Sequence, residues 1–459
     1  MTEIARKLAE YSNGLDYSDI SDSAIHETKR RFIDTLACGI NTFRVDSVRS
    51  VRKISSWQPK TGPTSTLIGT NIRCPPDYAA FSNGYAMRYL DWNDTYLSKE
   101  PAHPSDNIAG ILSIAEAFGK NGKDIILSTL IGYEIQCRLC DAASLRSRGW
   151  DHVNYLLIGN ALAASKLMGL STEKSTQSVN IALNNLSTRQ NRVGELSNWK
   201  AAAASNTVRN AVFSAMLAGV GFTGPSEMVE GKWGFQNQVS GKFSIDTSIF
   251  GKNGSEFMLE KSYIKKNDGE IHSQSAIDIA LELRKEIRSI NDIESMRIDT
   301  QEAGFTIIGD RDKEPQKWNP MTKETADHSI AYIATVALMD GEVTEKQFAR
   351  DRFRDKRTLE FLKKVKVVED SEFTDAYPYR GIANRITIKL KNGKTISKEE
   401  YFQRGHPKNP MSDEEIENKF IHLASHNLGE KRTRKVLDFL WKIDEVKNLR
   451  DLFKMLVVR

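Results

Sequence analysis

No run of eighteen apolar residues occurs in this chain, so a membrane-spanning helix is not expected. The opening stretch, MTEIARKLAEYSNGL, shows an amphipathic helix pattern and no apolar signal-peptide segment, which points to a cytoplasmic protein. Cysteine is scarce, with 4 in 459 residues. Cys137 and Cys140 form a lone CxxC inside a helix-like stretch, and Cys38 and Cys74 supply no second pair. A zinc or iron–sulfur site is therefore not expected, and the four read as small core residues of a reduced protein. Excess charge of one sign is also lacking. The 65 basic residues nearly balance the 60 acidic ones, for a net +5, and no basic block interleaved with aromatics stands out. A nucleic-acid partner is disfavoured, and the weak positive charge suits an anionic metabolite without arguing for one. There is no nucleophile elbow, P-loop, dinucleotide-binding glycine fingerprint or zinc signature.

What remains is an ordinary globular composition, 39% apolar and 27% charged, in a chain long enough for two or three domains. The first 240 residues read mostly as helix. Apolar periodicity and cap residues place helices over residues 21–40, 75–87, 107–118, 123–142, 155–168, 172–185 and 199–219. The last of these carries four consecutive alanines, 201–204, which would allow close helix packing around a site.

The texture changes near Ser262. A helix over 272–287 is followed by strand-like runs at 293–300, 365–369, 384–390 and 394–399, with a helix over 328–339 between them. The Asn392-Gly393 pair between two alternating runs predicts a hairpin. Helix returns at Ser412, where Ser412 and Glu415 have capping-box spacing. The expected architecture is mainly α: a large all-helical domain (1–262 and 404–459) and a smaller α+β, lid-like domain (263–403).

The densest polar stretch is LDWNDTYLSKEPAHPSDNIA, residues 90–109. It holds Asp91, Asp94, Thr95 and His103 between two helices, with Pro101 and Pro104 stiffening the loop around the histidine. Ser105 reads as the N-cap of the next helix. His103 would then stand near a helix N-terminus, a favourable place for an anion. A polar interhelical turn without chemistry is the alternative.

Three further clusters carry charge: Trp150-Asp151-His152; Arg189, Arg192 and Lys200; and Lys265 with His272 at the seam between the two textures. Capping, solvation or pairing with Glu195 would be their ordinary roles, and capping is the ordinary role of Asp327. Together they supply cations and proton carriers, which suits proton abstraction next to a carboxylate.

The chain resembles the MmgE/PrpD family. The resemblance rests on RRFIDTLACGI (30–40), YLDWNDTY (89–96), HPSDN (103–107), GWDHVNY (149–155), VGELSNWKAAAASN (193–206), EIHSQSAID (270–278), KWNPMTKETADHSIAYI (317–333) and RGHPKNPMSDEEIENKF (404–420). It implies a homodimer with a site between a helical and an α+β domain, and no metal or organic cofactor. By position it implies Asp91, His103, His152, Lys200 and Lys265 as catalytic residues. Thr95, Arg192, His272 and Tyr332 are the candidate substrate-binding residues. Family members commonly have an aromatic residue and a proline after the lysine at 265, whereas this chain has Lys266-Asn267-Asp268-Gly269.

The activity implied is a hydro-lyase acting on a citrate-like tricarboxylate, 2-methylcitrate foremost. His103 or Asp91 would remove the proton beside a carboxylate, and Lys200, Lys265 and His152 would hold the substrate carboxylates. Decarboxylation or epimerisation of a related polycarboxylate is the alternative chemistry, and an idle binding paralogue the alternative class.

Overall fold

The computed structural model describes residues 3–459. It is mainly α with a smaller α+β region. Local chemistry sets the helix ends. Ser21 accepts the Ala24 N–H to open the Asp22–Asn41 helix, and Ser171 accepts the Lys174 N–H to open Thr172–Ala182. Gly169, at φ 69°, closes Val153–Met168 in the left-handed conformation that glycine adopts without strain. Ser412 and Glu415 cap Asp413–Leu428 reciprocally.

Two apolar cores form. The first gathers residues from Ile4 to Ile264 and again from Met411 to Leu456, and the second runs from Ala276 to Ile396. The C-terminal helix Asp413–Leu428 packs on Asp22–Asn41, so the chain leaves the first core and returns to it. Beneath the second core lies a four-stranded sheet in the order Val365–Glu369, Ile293–Thr300, Asn384–Leu390, Thr395–Glu400. The first pair is parallel and the others antiparallel. Register follows the two-residue alternation: Met296 faces Val365 and Ile388, Ile298 faces Val367 and Ile386, and all of these are buried. The Gln274–Leu283 and Ile330–Asp340 helices supply the other side of this core. Among the described residues no helix is long and apolar enough to cross a membrane.

One helix contact positions the site. A Cβ on Gly84 would lie 3.1 Å from the Ser205 Cβ and 3.3 Å from the Ala109 Cβ. Glycine on Pro76–Tyr89 and small residues on Trp199–Gly219 therefore let the two helices approach closely. Lys200, in the first turn of one, comes to the end of the other, where Arg88 lies and Asp91 follows.

Candidate functional site

A cavity of about 970 Å³, counting its open mouth, lies between the two cores. Its wall includes Asp91, Thr95, His103, His152, Arg192, Lys200 and His272, all singled out in the sequence. Arg88, Arg146, Arg189, Glu270, Lys317 and His328 also line it.

The 90–106 loop is held by its own backbone and by Asp94. Tyr96 and Ala102 exchange hydrogen bonds of 2.8 and 2.9 Å, and Thr95 and Tyr263 exchange bonds of 2.9 and 2.7 Å. Asp94 accepts from the Ser105 N–H at 2.9 Å, the Tyr133 hydroxyl at 2.8 Å and the Ser262 hydroxyl at 3.3 Å. Ser105 is thus not the cap expected of it. The Asp94 carboxylate takes the free N–H, and the Ser105 hydroxyl accepts from Asn93 instead.

His103 stands in this rigid frame. Its Nδ1 lies 2.8 Å from the Asp94 carbonyl, an acceptor only, so Nδ1 carries the proton. Nε2 is then an unprotonated lone pair. Burial, with Arg88 and Lys265 nearby, holds the imidazole pKa well below the ordinary 6.5. His103 is therefore neutral in the folded chain and acts as a base above its depressed pKa. In an NMR titration of the free protein, with a His103→Gln variant to assign its signal, the ring is expected to stay neutral as the pH falls through 6.5. A midpoint at or above 6.5 would contradict the burial argument. The readout must be this single site. Buried histidines lose stability as pH falls from their unfolded value towards the folded one, while Asp106 and Asp268, pushed up by burial to about 7 and about 6, gain it over much of the same range.

Asp91 is the centre of a cation cluster. Its carboxylate lies 2.7 Å from Arg88, 3.2 Å from Lys265 and 3.4 Å from Lys200. Burial alone would raise its pKa, but these three cations outweigh burial and hold it well below the usual carboxylate range. That makes Asp91 a poor base. Lys200 also lies 3.3 Å from Asp327, and burial lowers its pKa in spite of both carboxylates. Oxygens of Asp91 and Asp327 and a nitrogen of His328 lie within 4.8 Å of one another, a spacing a metal ion could use. The Lys200 ammonium already pairs with both of these carboxylates.

The other histidines differ in freedom. His152 Nε2 lies 3.0 Å from an Arg192 N–H and must accept, which leaves its Nδ1–H buried without a protein partner. Burial pushes its pKa down to about 3. His272 is tied at both ends, to Glu270 at 2.7 Å and the Tyr377 hydroxyl at 3.0 Å. His328 Nδ1 meets Asp327 at 2.6 Å, and its Nε2 lies 3.8 Å from Asp91.

Family models now meet this geometry. The model of the MmgE/PrpD N-terminal domain matches residues 6–248, and that of the MmgE/PrpD C-terminal domain matches residues 269–444. The chain belongs to the MmgE/PrpD family. Similar members include the mitochondrial 2-methylcitrate dehydratase of Yarrowia lipolytica, 29% identical over 86% of this chain and 78% of that protein. The 2-methylcitrate dehydratase of Escherichia coli (strain K12) is 28% identical over 85% and 84% respectively. The cis-aconitate decarboxylase of Homo sapiens is 27% identical over 98% and 93%. The second MmgE/PrpD model includes the C-terminal helices to 444, although they pack on the first core.

Within this MmgE/PrpD frame the structure corrects three sequence expectations. Lys265 does not reach the cavity wall. Its three N–H groups go to the Asp91 carbonyl at 2.8 Å, the Asp91 carboxylate at 3.2 Å and the Gly269 carbonyl at 3.1 Å. It positions Asp91 and has no donor left for a substrate carboxylate. Tyr332 is a core residue: it is fully buried, and its hydroxyl donates to the Gln347 carbonyl. Its place on the inner face of the Ile330–Asp340 helix decides this. Asp327 is no N-cap; Ser329 caps that helix, and Asp327 pairs with Lys200, Lys323 and His328.

The departure after Lys265 also has a structural setting. Gly405, at φ 96°, presses on the Ile264 carbonyl, where a Cβ would come to 1.8 Å. Lys419 donates to Asp34 at 2.5 Å and to the carbonyls of Trp92 and Lys265 at 2.7 and 2.8 Å. One buried ammonium thereby joins both loops that carry the Asp91 cluster. The sequence reading missed Arg88 and His328 as wall residues. Arg88 was signalled by its i, i+3 spacing to Asp91, and His328 by its place beside Asp327.

Proposed function

We propose that this chain is a hydro-lyase that dehydrates a citrate-like tricarboxylate, 2-methylcitrate foremost. The observation that carries the reading is a neutral imidazole, with its Nε2 unprotonated, in the wall of a cavity that Arg88, Arg146, Arg189, Arg192, Lys200 and Lys317 also line beside several carboxylates. His103 removes the proton on the carbon next to a carboxylate, because its Nε2 lone pair is uncommitted whereas the Asp91 oxygens are taken by Arg88, Lys265 and Lys200. Lys200 gives its proton to the leaving hydroxyl. Burial makes its ammonium more acidic, and two of its three N–H groups face Asp91 and Asp327, leaving one for the substrate. His328 in its neutral form cannot do this, since its single proton is committed to Asp327. The Thr95 hydroxyl and the Arg192 guanidinium bind substrate carboxylates, with His152, another wall residue, beside them.

The human relative's name keeps decarboxylation of cis-aconitate as the second reading. A decarboxylase needs a donor at the new carbanion but no base, so a free base and an available acid in one cavity favour dehydration. Purified protein is to be incubated with 2-methylcitrate, citrate and cis-aconitate in turn. Ultraviolet absorbance of a new unsaturated acid from 2-methylcitrate is the expected result. Carbon dioxide release from cis-aconitate without such a product would replace dehydration by decarboxylation. No product from any of the three would remove the enzymatic reading.

A further inference from the structure

Most cations of the cavity wall have a carboxylate of their own. Arg88 has Asp91 at 2.7 Å, Arg192 has Asp151 at 2.8 Å, Lys317 has Glu314 at 3.0 Å and Lys200 has Asp327 at 3.3 Å. Arg146 and Arg189 differ. Both line the cavity, and among the described residues neither guanidinium makes an ion pair or a hydrogen bond.

The fold sets them side by side. The Arg189 N–H donates to the Gly149 carbonyl at 2.9 Å, and the Asp151 N–H donates to the Ser187 carbonyl at 3.1 Å. These bonds clip the 146–151 loop to the 187–192 loop. The nearest acid is Glu100, but its Oε2 takes the N–H groups of Leu145 at 2.6 Å and Arg146 at 3.0 Å and the Ser144 hydroxyl at 3.1 Å. Glu100 therefore serves the backbone under Arg146 and pairs with neither arginine. Burial and then the neighbouring Arg146 lower the Arg189 pKa, and Glu100 and Asp151 offset them only in part, which places the two guanidiniums close enough to repel each other. Side by side in a concave wall, two planar forks with free N–H groups match a carboxylate, which each can grip with two parallel bonds.

We propose that Arg146 and Arg189 form a second anion subsite, which takes a substrate carboxylate remote from the reacting carbon and so selects tricarboxylates over dicarboxylates. Arg146 is tied through its backbone N–H to Glu100, another wall residue, and neither arginine pairs with the Asp91–Lys200 cluster. The substrate class rests on the dehydratase reading above; the anion subsite itself does not.

The test uses the full chain with Arg146→Gln, Arg189→Gln and the double variant. Citrate and malate binding are measured by calorimetry, and kcat and KM with 2-methylcitrate. Neither side chain has a protein partner to lose, so folding is expected to hold. Arg146→Lys/Arg189→Lys, which keeps the charge without the fork, serves as a second variant. In the double glutamine variant, citrate affinity is expected to fall by about tenfold or more, KM to rise in parallel and kcat to change little, as for an interaction equal in ground and transition states. Malate affinity is expected to stay level.

Unchanged citrate affinity, or equal loss for citrate and malate, would overturn the selective subsite. So would a wild-type protein that binds no citrate. If wild type dehydrates 2-methylcitrate and the variant binds citrate normally, only the subsite fails. If wild type binds citrate through these arginines but turns nothing over, only the reaction fails.

Discussion

His103→Ala is expected to lower kcat by roughly 10²–10⁴-fold, the usual contribution of one positioned acid or base, with the fold intact. Its Nδ1–H is held by the Asp94 carbonyl, and Asp94 is fixed in turn by Ser105, Tyr133 and Ser262. The ring therefore points Nε2 in one direction before substrate arrives, and burial keeps that nitrogen unprotonated. Losing the ring removes one hydrogen bond to a backbone carbonyl, a stability change of about 1 kcal/mol. Catalysis and stability thus separate: a large loss in kcat with a small shift in thermal midpoint. A variant with near-normal turnover and a clearly lowered midpoint would show that the residue only braces the loop.

Asp91→Asn is expected to do the reverse in part, destabilising the protein by about 3–5 kcal/mol, the range for breaking a buried ion pair on one side. The amide is close to isosteric, so packing is kept and charge alone is tested. Arg88, Lys200 and Lys265 are all buried, and each directs an N–H at this one carboxylate. Without it Arg88 keeps only Asp106 at 3.9 Å and the Asn93 amide oxygen at 3.3 Å, and Lys265 keeps only backbone carbonyls. Turnover falls as well, because Lys200 loses one of the two anions that hold it. Denaturant melts of the variant and wild type decide the matter. A difference below about 1 kcal/mol, the size of an ordinary hydrogen bond, would mean the cluster is not held together by this charge.

Much of the fold was legible without coordinates, because helix and strand signals are local. The 293–300, 365–369 and 384–390 strands and the Trp199–Gly219 helix stand at the bounds read from the sequence. Capping at Ser21, Ser171 and Ser412 rests on bonds spanning three residues, so a sequence window contains both partners. The same holds for the Asn392-Gly393 turn. The reading failed at Ser105 and Asp327, where a partner distant in the chain outbid the local role.

What the sequence by itself determined is therefore most of the longer helices and three strands, their order, and a histidine braced by Pro101 and Pro104 in a polar loop. Tertiary structure alone decided which cations are spent and which are free. Lys265 and Asp91 are 174 residues apart, and nothing near either one shows that all three donors of that lysine turn inward. Tyr332 carries the same side chain whether it faces a core or a cavity, and the packing of its helix chose the core. Arg146 and Arg189 are ordinary arginines in the sequence. They become a pair only because two loops are clipped together by backbone bonds, and bonds of that kind leave no mark on residue type.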